Sequence, residues 1–255
     1  MKRALIAALI LASGLTAAAQ GRGQGRGNQP PAPPPTPQQA APFDVTGTWV
    51  SVITEDWRWR MVTPARGDYQ SIPITAAAKA AADAWNPARD QASGQACKGY
   101  GLPGVMRLPT RLRIAWQDAQ TLQVETDHGQ QTRLLRFDPA ARAAAPSLQG
   151  HSVAAWELAA RGRGAPPDAP RFGNLKIVTT NLAAGYLRKN GVPYSADAQV
   201  TEYWDVARLR NGDQWLVVTM IVHDPANLQV DWITSLNFKK EPDGSKWDPT
   251  PCSAR

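Results

Sequence analysis

Short runs in which apolar or β-branched side chains alternate with polar ones recur through this chain, separated by dipeptides that turn a backbone sharply. A two-residue period puts successive side chains on opposite faces of a strand. The pattern therefore calls for strands with one buried face, folded back on each other at the turns. RLRIAW at 111–116 puts Leu112, Ile114 and Trp116 on one side. Residues 121–126 follow, then Asp127-His128-Gly129 as a tight turn, then 132–137. A second hairpin joins 200–206 to 215–222 around Asn211-Gly212-Asp213. Further strands are expected at 46–54, 57–63, 152–158, 175–182 (continued by 186–188) and 232–239.

Only one segment breaks this rhythm with a helical signature. In ITAAAKAAADAW at 74–85, Thr75 can cap the N-terminus, the alanines favour helix, and Pro87 stops it. It falls between the second and third strands, where it packs outside a barrel or plugs one end. The expected fold is mainly β, a single antiparallel β-barrel or sandwich with one short helix near residues 75–85.

The N-terminal part cannot join that fold. Lys2 and Arg3 precede an apolar run over 4–15, and Ala17-Ala18-Ala19 offers a signal-peptidase site. A run of about a dozen residues is short for crossing a bilayer. Residues 1–19 are thus expected to be a cleaved export signal. No Cys follows the run closely, which argues against a lipid anchor. Residues 20–43 are rich in Gly, Pro and Gln, cannot bury enough surface to offset ordering, and read as a disordered tether. Residues 44–255 form the β-rich domain. Export would end in the periplasm or outside the cell, leaving no integral membrane segment after cleavage.

Charge excludes less than the bulk figure suggests. The chain has 28 Lys and Arg against 21 Asp and Glu, but four of the bases precede residue 44 and no acid does. The body is an ordinary mixed surface, which gives no support to a nucleic-acid partner. The two cysteines, Cys97 and Cys252, suit a disulfide in an oxidising compartment. Three histidines without ligand spacing make no metal site, and no motif implies a cofactor. Gly150-His151-Ser152 resembles a nucleophile elbow, yet strand is expected after the serine where the elbow needs helix.

Gly47-Thr48-Trp49 resembles the Gly-x-Trp that opens the first strand of lipocalin-like (calycin) barrels. That resemblance implies an up-and-down barrel around a small apolar ligand, with the Trp closing the floor. The chain departs from the pattern in lacking a later Thr-Asp-Tyr and in placing its helix early. TEDWRWRMVTP at 54–64, GYLRKNGVPYS at 185–195, TEYWD at 201–205 and FKKEPDGSKWDPTPC at 238–252 resemble a group of exported bacterial proteins of unknown function. They imply an exported lipocalin-like β-protein and carry no activity with them.

Ten tryptophans make Trp the compositional outlier. On a strand, Trp57 and Trp59 share one face, where they line a pocket, stack on a glycan or simply fill the core, while Arg58 and Arg60 share the other. Those arginines can grip a carboxylate bidentately or pair with Glu55 and Asp56 at the surface. Tyr186, Arg188 and Tyr194 sit in the second concentration of polar and aromatic groups. Glu202 and Trp204 share a face of the TEYWD strand, with Tyr203 and Asp205 on the other. The leading expectation is a small-molecule carrier for an apolar or aromatic ligand, with an internal cavity of several hundred Å³. The alternatives are an acid–base enzyme using carboxylates such as Glu55, Asp56, Glu202 or Asp224, and an envelope-associated interaction module with a filled core.

Overall fold

The computed structural model describes residues 33–160, 162–166, 169 and 171–255. The chain divides into units 1–34 and 35–255, and the second carries the fold. The expected export signal lies outside the described residues, as does the expected tether up to residue 32. From residue 33 the tether is not all free chain. Helix α1 (Pro37–Ala40) is closed by a capping box from Thr36 and Gln39, and the Trp156 indole donates to the Pro37 carbonyl at 2.8 Å.

Strand β1 (Gly47–Val52) is followed by a long excursion of helical pieces: α2 (Trp57–Arg60), α3 (Ala76–Asp83), α4 (Pro87–Ala92), a 3-10 turn (Ala96–Tyr100) and α5 (Leu102–Val105). Then come β2 (Arg111–Asp118), β3 (Thr121–Thr126), β4 (Thr132–Arg136), β5 (His151–Leu158), β6 (Gly173–Thr180), β7 (Gly185–Arg188), β8 (Val192–Tyr194), β9 (Gln199–Arg208), β10 (Gln214–His223) and β11 (Trp232–Lys240). Among the described residues nine of these close a barrel in the order β1-β11-β10-β9-β6-β5-β4-β3-β2, and β7 pairs only with β8.

Of the two expected architectures the barrel is the one formed, with one departure from antiparallel pairing. An odd number of strands cannot alternate in direction all the way around a closed ring. The mismatch falls at β4 and β5, which run parallel through Leu135↔Ser152 and Arg136↔Val153. The connection over 137–150 makes this possible by returning the chain to the end where β4 began.

Strand directions then fix which loops share an end. The 53–110 excursion, the 127–131 turn, the β7–β8 insertion and the 224–231 loop all leave from one end, the upper rim. The lower rim carries the turns around 119–120 and 209–213.

The interior is filled. Trp49, Leu112, Leu122, Leu135, Ile177, Trp204, Val218, Met220, Leu236 and Phe238 have no solvent-accessible surface, so no water-sized void lies beside them. The Trp49 indole donates to the Val45 carbonyl at 2.8 Å. The expected internal cavity of several hundred Å³ is therefore not found beside these core residues. One layer of this core is polar. Arg133 donates through Nη2 to Glu202 Oε2 and to Thr179 Oγ1 (3.0 Å), and through Nε to Ser152 Oγ (2.9 Å). Ser152 is thus a strand residue fixed in the core, with none of the exposure that an elbow nucleophile needs.

Three local expectations are corrected. Trp57–Arg60 is a helical turn, with Arg60 N–H donating to the Asp56 carbonyl and Met61 N–H to that of Trp57. Both neighbours of β1 are already taken by β2 and β11, so beyond the rim its continuation has no strand to join. In a helix residues two apart point about 200° apart, so Trp57 and Trp59 share no face. Next, 186–188 does not extend β6. Asn181 at φ +56° turns the chain, and β7 begins a separate hairpin. Finally, Pro87 ends one helix and also opens the next. Asn86 caps α4 by accepting from Arg89 N–H at 3.2 Å, and Pro at the first helical position loses no bond it could have made. The expected helix itself forms at the upper rim, shortened to Ala76–Asp83, with Thr75 Oγ1 accepting from Ala78 N–H at 3.1 Å.

The β7–β8 turn is pinned against this helical layer. Gly191 has φ +90°, and a Cβ there would run into the Trp85 side chain. Gly191→Ala is accordingly expected to cost about 1–3 kcal/mol through backbone strain and that clash. Urea unfolding measures it, and a change below about 0.5 kcal/mol would show that the turn relaxes freely. The cysteines are bonded, with Cα atoms 5.0 Å apart, tying the C-terminal tail to the 3-10 turn.

Candidate functional site

The upper rim gathers three guanidinium groups in one place. Arg60 ends α2, and the left-handed Asp56 (φ 54°) that opens this helix aims it inward. Arg107 follows α5, where it is the lone charge in the apolar run LPGVMRLP at 102–109. Arg188 ends β7 and is turned inward by the hairpin. They are 3%, 5% and 6% exposed, nearly full burial for side chains that normally reach water. With Trp59, Val62 and Lys189 they line a cavity of about 30 Å³.

Their partners do not balance them. Arg60 Nη1 donates to Glu55 (2.8 Å) and Nε to the Arg107 carbonyl (3.0 Å), while its Nη2 has no hydrogen-bond partner among the described residues. Arg107 pairs with Asp56 at 2.7 Å, also donates to Thr234, and lies 4.8 Å above the Trp232 ring. Arg188 forms no ion pair among the described residues; it donates to the Gln70 carbonyl and to Ser71 Oγ, both at 3.0 Å, and feels Asp56 and Asp68 only from farther away. Asp68 is occupied by Arg58 (2.6 Å) and by the Trp59 indole (3.0 Å). The Trp59 ring is flanked by Arg58 at 5.2 Å and Arg188 at 5.5 Å. Lys189 Nζ donates to Tyr100 Oη (3.0 Å) and to the Arg255 carbonyl (2.7 Å).

Electrostatics report the same imbalance. Burial, and after it the charge of Arg107, pulls both Arg60 and Arg188 down to about 10. Burial also lowers Arg107. All three remain charged at neutral pH, at a cost that an incoming anion would relieve.

The sequence-picked residues divide between this site and elsewhere. Trp59, Arg60 and Arg188 are brought together on the cavity, and Arg58 stands beside it. Trp57 is nearby but 67% exposed, so no two-ring platform forms. Tyr186 points away and donates to Asp90 at 2.7 Å; burial, then that contact, raises its phenol. Tyr194 is buried against Gly101 with its hydroxyl unpartnered among the described residues, and burial raises it too. Glu202 and Trp204 lie in the barrel core, while Tyr203 is on the outer wall beneath the Lys176 ammonium.

Arg107 escapes the sequence reading, although a charge set in an apolar run is a signal; Lys189 is the second base of the GYLRKNGVPYS segment, beside Arg188.

Among the described residues no three His, Cys, Asp or Glu side chains converge as metal ligands, and no helix is long and apolar enough to cross a membrane. Glu202 is held by Arg133 and the Trp204 indole, and Asp224 by Ser195 and Asn227, so each carboxylate is committed to its own set of partners. The chain matches no known family model, no curated protein and no solved structure. What the site can do is hold an anion. Guanidinium groups recognise carboxylates and phosphates by parallel hydrogen bonds, and burial strengthens each of them.

Proposed function

We propose that this is an exported binding protein that takes up a ligand by its carboxylate or phosphate group at the barrel's upper rim. The observation that carries the reading is the surplus of buried positive charge around one cavity, with Arg60 Nη2 unpartnered and Arg188 in no ion pair among the described residues. Arg60, Arg107 and Arg188 supply the hydrogen-bonding edge, Trp59 an aromatic wall, and Glu55 and Asp56 hold the first two arginines in place. The cavity has room for an anionic group or a pair of waters, so the remainder of the ligand stays outside. In this reading the barrel is a rigid support whose filled core positions the rim, and recognition sits on the rim.

The test is thermal unfolding in benzoate, acetate or inorganic phosphate at constant ionic strength, with chloride as control. A site saturated to one hundred times its Kd is expected to add about 2.7 kcal/mol of stability. Arg188→Gln is expected to abolish that gain, because it removes one of the three guanidinium groups lining the cavity. Equal stabilisation by chloride and by every other anion, untouched by Arg188→Gln, would sink the reading.

A further inference from the structure

A cavity that admits only a headgroup leaves the rest of its ligand at the mouth, so the character of the mouth decides what kind of molecule it suits. Val62 lines the cavity and is itself 69% exposed, which places it on the opening. Trp57 and Met61 stand one helical turn apart in the same segment, both mostly exposed. Val230, in the 224–231 loop, and Ile233, at the start of β11, belong to the same end of the barrel and are exposed as well. The other exposed large apolar residues among those described, Phe172 and Leu209, belong to the lower rim. Trp57, Met61 and Val62 fall within six consecutive residues beside the cavity, and bulky apolar side chains grouped on a surface mark a place that meets a partner or a membrane. A Trp ring, with its apolar body and one polar N–H, favours the boundary between lipid and water.

Charge points the same way. Around the cavity stand Arg58, Arg60, Arg107, Arg188 and Lys189, and among the described residues three acids pair with them, Asp68 with Arg58, Glu55 with Arg60 and Asp56 with Arg107. Apolar tips beside a cationic hollow are the two halves of an interfacial anchor, one for the acyl boundary and one for an anionic headgroup.

We infer that the upper rim docks on a bilayer containing anionic phospholipid, with a lipid phosphate entering the arginine cavity while Trp57, Met61 and Val62 settle into the interface. This rests on the anion-binding reading above and names the source of the anion. Only the headgroup has to fit, which agrees with the small cavity and with a barrel core that has no space for an acyl chain.

The experiment is co-sedimentation of the chain, as isolated from the cells that make it, with vesicles of phosphatidylcholine alone or mixed with phosphatidylglycerol. Binding is expected on the mixed vesicles and not on phosphatidylcholine. Trp57→Ser/Met61→Ser and, separately, Arg188→Gln are each expected to weaken it by about tenfold or more. The Trp57/Met61 variant should keep the wild-type melting temperature and its response to inorganic phosphate, which separates lost docking from lost folding. Protein that responds to inorganic phosphate yet ignores mixed vesicles would overturn the docking and leave the anion site standing. Protein that responds to neither would overturn both. Equal binding to both vesicles would refute the headgroup role, and binding indifferent to Trp57→Ser/Met61→Ser would assign it to another surface.

Discussion

Glu202→Leu is expected to lower the melting temperature by about 6–20 °C. The figure follows from about 3–5 kcal/mol for breaking a buried ion pair and about 2–4 °C per kcal/mol for a domain of this size. Glu202 has no exposure, and its two oxygens accept from Arg133 and from the Trp204 indole. Removing it strands Arg133 in the barrel core with two hydroxyls, Ser152 and Thr179, and one nitrogen already unpartnered among the described residues. The decisive comparison is with Arg133→Met/Glu202→Leu. If the loss comes from an uncompensated charge, the double variant recovers most of it, since an apolar pair can replace a buried ion pair at little cost. A double variant no better than Glu202→Leu would assign the loss to packing around β9.

Removing the disulfide is the second large effect. The bond joins cysteines 155 residues apart, and closing so long a loop is worth about 5 kcal/mol in the chain-entropy model. Measured losses for native disulfides run about 2–5 kcal/mol, and Cys97→Ala/Cys252→Ala is expected to fall in that range by urea unfolding. The tail's other attachments are polar contacts and one stacked ring: Ser253 N–H donates to Tyr100 Oη (3.3 Å), Ala254 N–H to Gln91 Oε1 (3.4 Å), and Arg113 lies 4.2 Å from the Trp247 ring. Thr250 exchanges backbone hydrogen bonds with Asp127 and Gly129, both at 3.0 Å, and Arg255 accepts from Lys189. Proteolysis is therefore expected to trim the tail of the double variant while the barrel persists. A loss below about 1 kcal/mol, with the tail still protected, would mean that these hydrogen bonds alone hold it.

The barrel was legible where one face of a strand is buried and the other is not. In β9, QVTEYWDVAR, Val200, Glu202 and Trp204 go in while Thr201, Tyr203 and Asp205 face outward. That alternation is local and survives translation into structure. WRWR has the same alternation and forms a helical turn, because whether a strand edge is free to receive it is decided by β2 and β11, far away in sequence. The site was legible only in pieces. Arg60 and Arg188 stood in separate conspicuous segments, and their meeting depends on where the β7–β8 hairpin folds over the 53–110 excursion. Glu202 drew notice as a potential reacting carboxylate, and the partner that makes it a core residue, Arg133, sits on a strand that nothing local connects to it.

The closing seam of the barrel joins β1 to β11, the first strand to the last, through pairs such as Val52↔Asn237 and Trp49↔Lys240. However early the local hairpins form, the ring stays open until the far end of the chain has been made and brought home. Contacts between such distant segments are slow to form, and until they do, β1 offers a raw edge to any neighbouring chain. Birth of this protein thus includes a vulnerable interval set by its length. The bond at Cys252, just beyond the last strand, acts as the latch once that interval is over.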